Sequence, residues 1–170
     1  MQIEKITARQ LPVVLLASGF GSGFSPFAPG TFGSLVGVAI FLFISGLDTL
    51  PYLAVIIAIT IIGIPISSRA EAIFGKKDSG KIVIDEIAGQ LITYFPILGM
   101  SFTGETVPLI LLLSGFLLFR FFDIVKPPPV KSFENLKGGA GVMLDDVVAG
   151  LYALISVYGV ELLLHAYFNL

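Results

Sequence analysis

Two acidic pairs, each followed one helical turn later by a glycine, stand out in an otherwise apolar chain. One is in Ile82-Val83-Ile84-Asp85-Glu86-Ile87-Ala88-Gly89-Gln90. The other is in Gly138-Gly139-Ala140-Gly141-Val142-Met143-Leu144-Asp145-Asp146-Val147-Val148-Ala149-Gly150. Carboxylates in apolar surroundings are costly and tend to be kept for function. A small residue one turn away lets a second helix come close. The sequence therefore predicts that the two pairs meet in space. A fifth carboxylate, Asp123, lies three residues from both Arg120 and Lys126. Such a set, with no cysteine and a single distant histidine, His165, suits a hard cation. Mg²⁺ is the natural candidate: it neutralises phosphate charge and activates water. Arg120, Lys126 or Lys131 would then take the remaining phosphate oxygens.

A second feature with chemical potential is the glycine-rich run from Ser18 to Gly30, followed by Thr31-Phe32-Gly33-Ser34. Gly30 to Ser34 is expected to open a helix, with Thr31 or Ser34 as its cap. Backbone N–H groups at such a start can hold a phosphate. Other readings stand beside these. Carboxylates near helix N-termini also favour the helix dipole. Arg120 and Asp123 can form an interfacial salt bridge. The glycine-rich run can be no more than a capped entry loop. The acidic pairs can also line a cation or proton path in a small cation-coupled transporter.

The elements that must position these groups are apolar helices. Of 170 residues, 55% are hydrophobic and 13% charged, about half the charged share of soluble domains. This is expected to be an all-α, polytopic membrane protein forming one domain over residues 1–170. Apolar helices are predicted over 32–47, 50–66, 82–100, 107–122 and 142–168, with polar connections at 67–81 and 101–106. Leu11 to Ala17 is too short to cross a bilayer. Pro65 suits a kink and Pro127 to Pro129 a helix stop. Lys126, preceding Pro127, is biased towards extended backbone. All ten Lys and Arg residues lie at the N-terminus, in 69–81 or in 120–137. Basic segments stay cytoplasmic. That gives five spans, the N-terminus inside, and every candidate group near the inner face. Nothing in the chain is basic enough to suggest nucleic-acid binding.

Four of these stretches resemble phosphatidylglycerophosphatase A, in that family's order. They are Ala28-Pro29-Gly30-Thr31-Phe32-Gly33-Ser34, Ile82-Val83-Ile84-Asp85-Glu86, Phe119-Arg120-Phe121-Phe122-Asp123-Ile124-Val125-Lys126-Pro127 and Gly138 to Asp146. Asp78-Ser79-Gly80 is similar to the family's polar segment, with Lys77 where a histidine often precedes the aspartate. The resemblance implies a Mg²⁺-dependent phosphatase of the bacterial inner membrane that converts phosphatidylglycerophosphate to phosphatidylglycerol. It implies Asp85, Asp123 and Asp145 as metal ligands, with Glu86 and Asp146 as ligands or supporting groups, either of which can serve as general base. Gly30, Thr31, Ser34, Arg120 and Lys126 would contact the substrate.

Overall fold

The computed structural model describes residues 6–102, 106–133 and 135–168, and among them the chain is all helical. The helices are α1 (Leu11–Ala17), α2 (Pro29–Ile44), α3 (Thr49–Phe74), α4 (Ile84–Thr93), α5 (Thr106–Val125), α6 (Val130–Phe133) and α7 (Gly139–Phe168). Short 3₁₀ turns occupy Ser22–Phe24 and Phe95–Ile97. Three helices are long and apolar enough to cross a membrane: α3, α5 and α7.

Two of the five helices expected over apolar stretches are shorter than a full crossing needs. The first apolar helix, α2, has only 16 residues, about 24 Å at 1.5 Å per residue. The third, expected over 82–100, ends at Thr93 as the ten-residue α4. Pro96 accounts for the stop, since it has no N–H to give to Ile92 and disfavours helical backbone at Phe95. The chain still runs the length of α2. Glu86 lies against Gly30 at the start of α2, and the Gly99 N–H donates to Ser45 O just past its end (3.0 Å).

Other boundaries also moved. The α3 helix continues through Pro65 and the polar stretch 67–74, and stops at Gly75 with φ +63°. Ser67 and Ala70 are buried there, so tertiary packing overrides the polar composition. The α7 helix starts at Gly139, which puts Asp145 and Asp146 about two turns inside it rather than at its start. Its N-terminus is anchored on α3. The Gly139 N–H donates to Ser68 Oγ (2.7 Å), and a Cβ on Gly139 would collide with Ile64 O. Lys126 has φ +48°, left-handed rather than extended. Its N–H closes α5 on Phe122 O (2.9 Å). The predicted 101–106 connection falls partly outside the described residues.

The bundle is built around α4. It packs most extensively on α7 and also touches α2, α3 and α5. Every α4 residue except Glu86 is buried. Its last turn sits in an aromatic core of Phe41, Tyr52, Tyr94, Leu91 and Leu111. The Tyr52 hydroxyl donates to Leu91 O (2.7 Å) and so satisfies one of the carbonyls that a helix end leaves open.

Candidate metal and phosphate site

The two glycines that flag the acidic pairs are the point of contact between α4 and α7. A Cβ on Gly150 would stand 2.6 Å from Gly89 O, and one on Gly89 would stand 2.7 Å from Asp146 O. With both side chains absent, the helices touch backbone to backbone one turn from the carboxylates. Ligand oxygens of Asp85, Glu86 and Asp146 consequently lie within 4.8 Å of one another. The two acidic pairs do meet.

Asp123 and Asp145 have different surroundings. Arg120 Nη1 holds Asp123 Oδ2 at 2.6 Å. Lys126 Nζ donates to Asp145 Oδ2 at 2.7 Å, and the Asp146 N–H donates to Asp145 Oδ1 at 3.1 Å. Each of these two carboxylates already carries a cation. The closest three-carboxylate group is Asp85, Glu86 and Asp146; of the three residues expected as first ligands, Asp85 lies in it, Asp123 borders it through Asp146, and Asp145 is held by Lys126.

The group fits a hard cation on two grounds. Asp85 Oδ1, Glu86 Oε2 and Asp146 Oδ2 are all buried without a hydrogen-bond partner among the described residues. Buried polar atoms are rarely left so. The donor set is also all carboxylate, the chemistry Mg²⁺ prefers. The electrostatics of α4, which is not one of the three long apolar helices, agree. Burial raises the Asp85 carboxyl well above its usual range, and the Glu86 and Asp146 charges add to the rise. Burial likewise pushes Glu86 up to about 7, with Asp123 adding and Arg120 opposing. A cation among them would reverse both shifts.

The start of α2 completes the site. Ala28, at φ +45°, precedes the helix, and no side chain caps it. Neither Thr31 nor Ser34 is a cap. The Thr31 and Phe32 N–H groups both donate to Ala28 O (2.9 and 3.3 Å), so they are committed. Ser34 Oγ donates to Gly30 O (3.0 Å) and accepts a long contact from Arg120 Nη1 (3.5 Å). A Cβ on Gly30 would collide with Glu86 Oε1 and meet Arg120 Nη1 at 3.1 Å. Gly30 is what lets α2 approach that pair. Arg120 Nε is buried and without a partner among the described residues. Lys131 is exposed on α6.

Sequence reasoning missed two features. Gln90, one turn beyond Glu86, is fully buried with neither amide atom partnered among the described residues; its spacing from Glu86 was the available signal. A cavity of about 290 Å³ beside Asp145 is also lined by Lys77, Asp78, Asn135, Gly141 and Val142. Lys77 and Asp78 stand beside a motif already noted, but their meeting with Asn135 and the start of α7 joins two loops and a helix far apart in sequence, which no local pattern signals.

The profile of the family described as Phosphatidylglycerophosphatase A matches residues 15–161. The chain belongs to that family. It is accordingly a phosphatase, a hydrolase of lipid metabolism. A "Putative phosphatidylinositol-3-phosphatase" of Bacteroides thetaiotaomicron is 40% identical over 85% of this chain and 90% of its own length. "Phosphatidylglycerophosphatase A" of Haemophilus influenzae is 38% identical, over 88% of this chain and 89% of its own. The protein of that name from Escherichia coli K12 is 36% identical, over 86% and 82%. No solved structure matches the chain significantly. Family membership agrees with the resemblance carried by the four motifs, and the transporter alternative gains no support.

Proposed function

We propose that the protein removes the terminal phosphate of phosphatidylglycerophosphate, giving phosphatidylglycerol and inorganic phosphate, at the cytoplasmic face of a bacterial inner membrane. The observation that carries this reading is the close group of Asp85, Glu86 and Asp146, each with an unpartnered buried oxygen. In a phosphatase, such a group is a cation site. Asp85, Glu86 and Asp146 would hold Mg²⁺, which when bound would neutralise phosphate charge and make water a better nucleophile. Asp123 orients the Arg120 guanidinium, whose remaining N–H groups take phosphate oxygens. Lys126, held by Asp145, supplies a second positive charge. Gly30 keeps the start of α2 close to Glu86 and Arg120. The terminal phosphate is a monoester that carries more charge than the diester beside it. Cationic groups here favour the more charged one. The lipid product keeps its acyl chains and stays in the membrane.

The test presents phosphatidylglycerophosphate in mixed micelles and identifies both products by mass. Inorganic phosphate and phosphatidylglycerol are expected; release of glycerol phosphate or phosphatidic acid refutes the assignment. A second substrate has specific support in the name of the 40% identical relative. Phosphatidylinositol 3-phosphate belongs in the same assay, and a higher kcat/KM on it would transfer the assignment to that lipid.

A further inference from the structure

The cavity beside Asp145 is lined from three parts of the chain, mostly by polar side chains. Lys77 and Asp78 come from the loop before α4, Asn135 from the loop before α7, and Gly141, Val142 and Asp145 from the first two turns of α7. Its volume of about 290 Å³ is at the small end of ligand sites. Asp145 connects it to the carboxylate group, since its neighbour Asp146 belongs to that group. The wall on that side is fixed, because both Asp145 oxygens already accept a hydrogen bond, from Lys126 and from the Asp146 N–H. The opposite wall is fixed by its backbone. Asp78 is held at φ +46°, with its N–H donating to Glu71 Oε1 (2.7 Å). Lys77, Asp78 and Asn135 line the cavity and are solvent-exposed.

The chemistry of this lining is specific. Lys126 already offsets Asp145, which leaves Asp78 and Lys77, one charge of each sign, and such a lining gives a phosphate dianion little net attraction. A carboxylate and an amide lining one cavity suit a hydroxylated group, whose O–H donates to the carboxylate and accepts from the amide. One lysine suits a singly charged phosphodiester. We infer that this cavity is the headgroup subsite, taking a short polyol and its linking phosphodiester while the terminal phosphate sits at Asp85, Glu86 and Asp146. The inference rests on the phosphatase reading and adds to it the part of the site that chooses the headgroup. Asn135 and Asp78 read the hydroxyl, and Lys77 reads the diester.

Two lipids test it. Phosphatidylglycerophosphate has both the polyol and the diester, whereas phosphatidic acid carries its phosphate monoester directly on the acylated glycerol and has neither. The readout is the ratio of kcat/KM on the first to kcat/KM on the second. Wild-type protein should prefer phosphatidylglycerophosphate. Lys77→Met should lower the ratio roughly tenfold, the worth of one hydrogen bond to a charged group, and Asn135→Ala roughly fivefold, the worth of a neutral one. Lys77→Arg should restore most of it. Both positions are exposed, so these variants are expected to fold. A ratio that stays within about twofold of wild type in both variants overturns the inference and leaves the phosphatase reading standing. So does a wild-type protein with no preference between the two lipids. A wild-type protein that releases phosphate from neither overturns the inference and the phosphatidylglycerophosphate assignment together.

Discussion

Gly150→Ala should inactivate the protein with only moderate loss of stability. A Cβ at that position would lie 2.6 Å from Gly89 O, against 3.4 Å for ordinary contact, so α4 and α7 must separate by about 0.8 Å there. The obstacle is backbone, and no side-chain rotation relieves it. Overpacking of this kind costs about 1–3 kcal/mol of stability. The effect on turnover is larger because Asp85 and Glu86 move with α4 while Asp146 moves with α7. Functional constellations tolerate displacements of about 0.5 Å, and a misplacement near 1 Å can cost roughly a hundredfold in rate. That is about 2.7 kcal/mol of barrier. The assay is phosphate release per molecule of detergent-purified protein, alongside its thermal unfolding midpoint. Gly159→Ala is the control, on the same helix with nothing within 4 Å of the added Cβ. It should keep normal turnover. A folded Gly150→Ala protein with more than about half the wild-type rate would refute the claim that glycine contact sets the carboxylate spacing.

Asp85→Asn, Glu86→Gln and Asp146→Asn should each lower kcat roughly a thousandfold; EDTA should abolish wild-type activity, and Mg²⁺ should restore it. Near-normal turnover in all three variants at saturating Mg²⁺ would move the site elsewhere. Cation affinity should weaken as pH falls through about 7, because Glu86 titrates there in the cation-free protein and must lose its proton to bind; Mn²⁺ titrations at several pH values read this directly, and a flat profile contradicts it. Lys126→Met strands the buried Asp145 carboxylate and should cost about 3 kcal/mol of stability. Adding Asp145→Asn should recover stability but not activity, and a double variant as unstable as the single one would show that the pair does not matter for folding. Cysteines at Gly46 and Lys76 should label from opposite sides of the membrane; labelling from one side alone would undo the assigned topology.

The meeting of the acidic pairs was legible because its cause is local. Gly89 and Gly150 stand one turn from their carboxylates, and that spacing alone puts a gap in the helix surface beside the charge. Which three of the five carboxylates form the group was not legible. It depends on how far α7 is rotated relative to α4 and α5, and packing sets that rotation. Arg120 and Lys126 were visible as neighbours of Asp123 in sequence, yet Lys126 pairs with Asp145 on another helix. The left-handed turn at Lys126 ends α5 and sends the chain off in a new direction. The end of α4 was marked by Pro96, but the apolar run on either side hid it. The continuation of α3 to Phe74 was hidden for the opposite reason. A stretch with serines and charges looks like a loop until burial of Ser67 and Ala70 holds it in the helix.

The shortness of α4 bears on how the site exists at all. An acidic pair on a lipid-facing helix would cost several kcal/mol for each exposed charge. Here α2, α3, α5 and α7 surround the helix that bears Asp85 and Glu86, so its charges meet protein rather than hydrocarbon. Ten residues are enough because α4 has to reach its neighbours, not both surfaces of a bilayer. Of the helices long and apolar enough to cross a membrane, α5 and α7 contribute Arg120, Asp123, Asp145 and Asp146 to the site, all from the end of α5 or the beginning of α7. Gly30, Gly89 and Gly150 then remove the side chains that would hold α2, α4 and α7 apart. Enclosure by helices and contact through glycine act together: the first makes buried carboxylates affordable, and the second brings their oxygens within reach of a single ion.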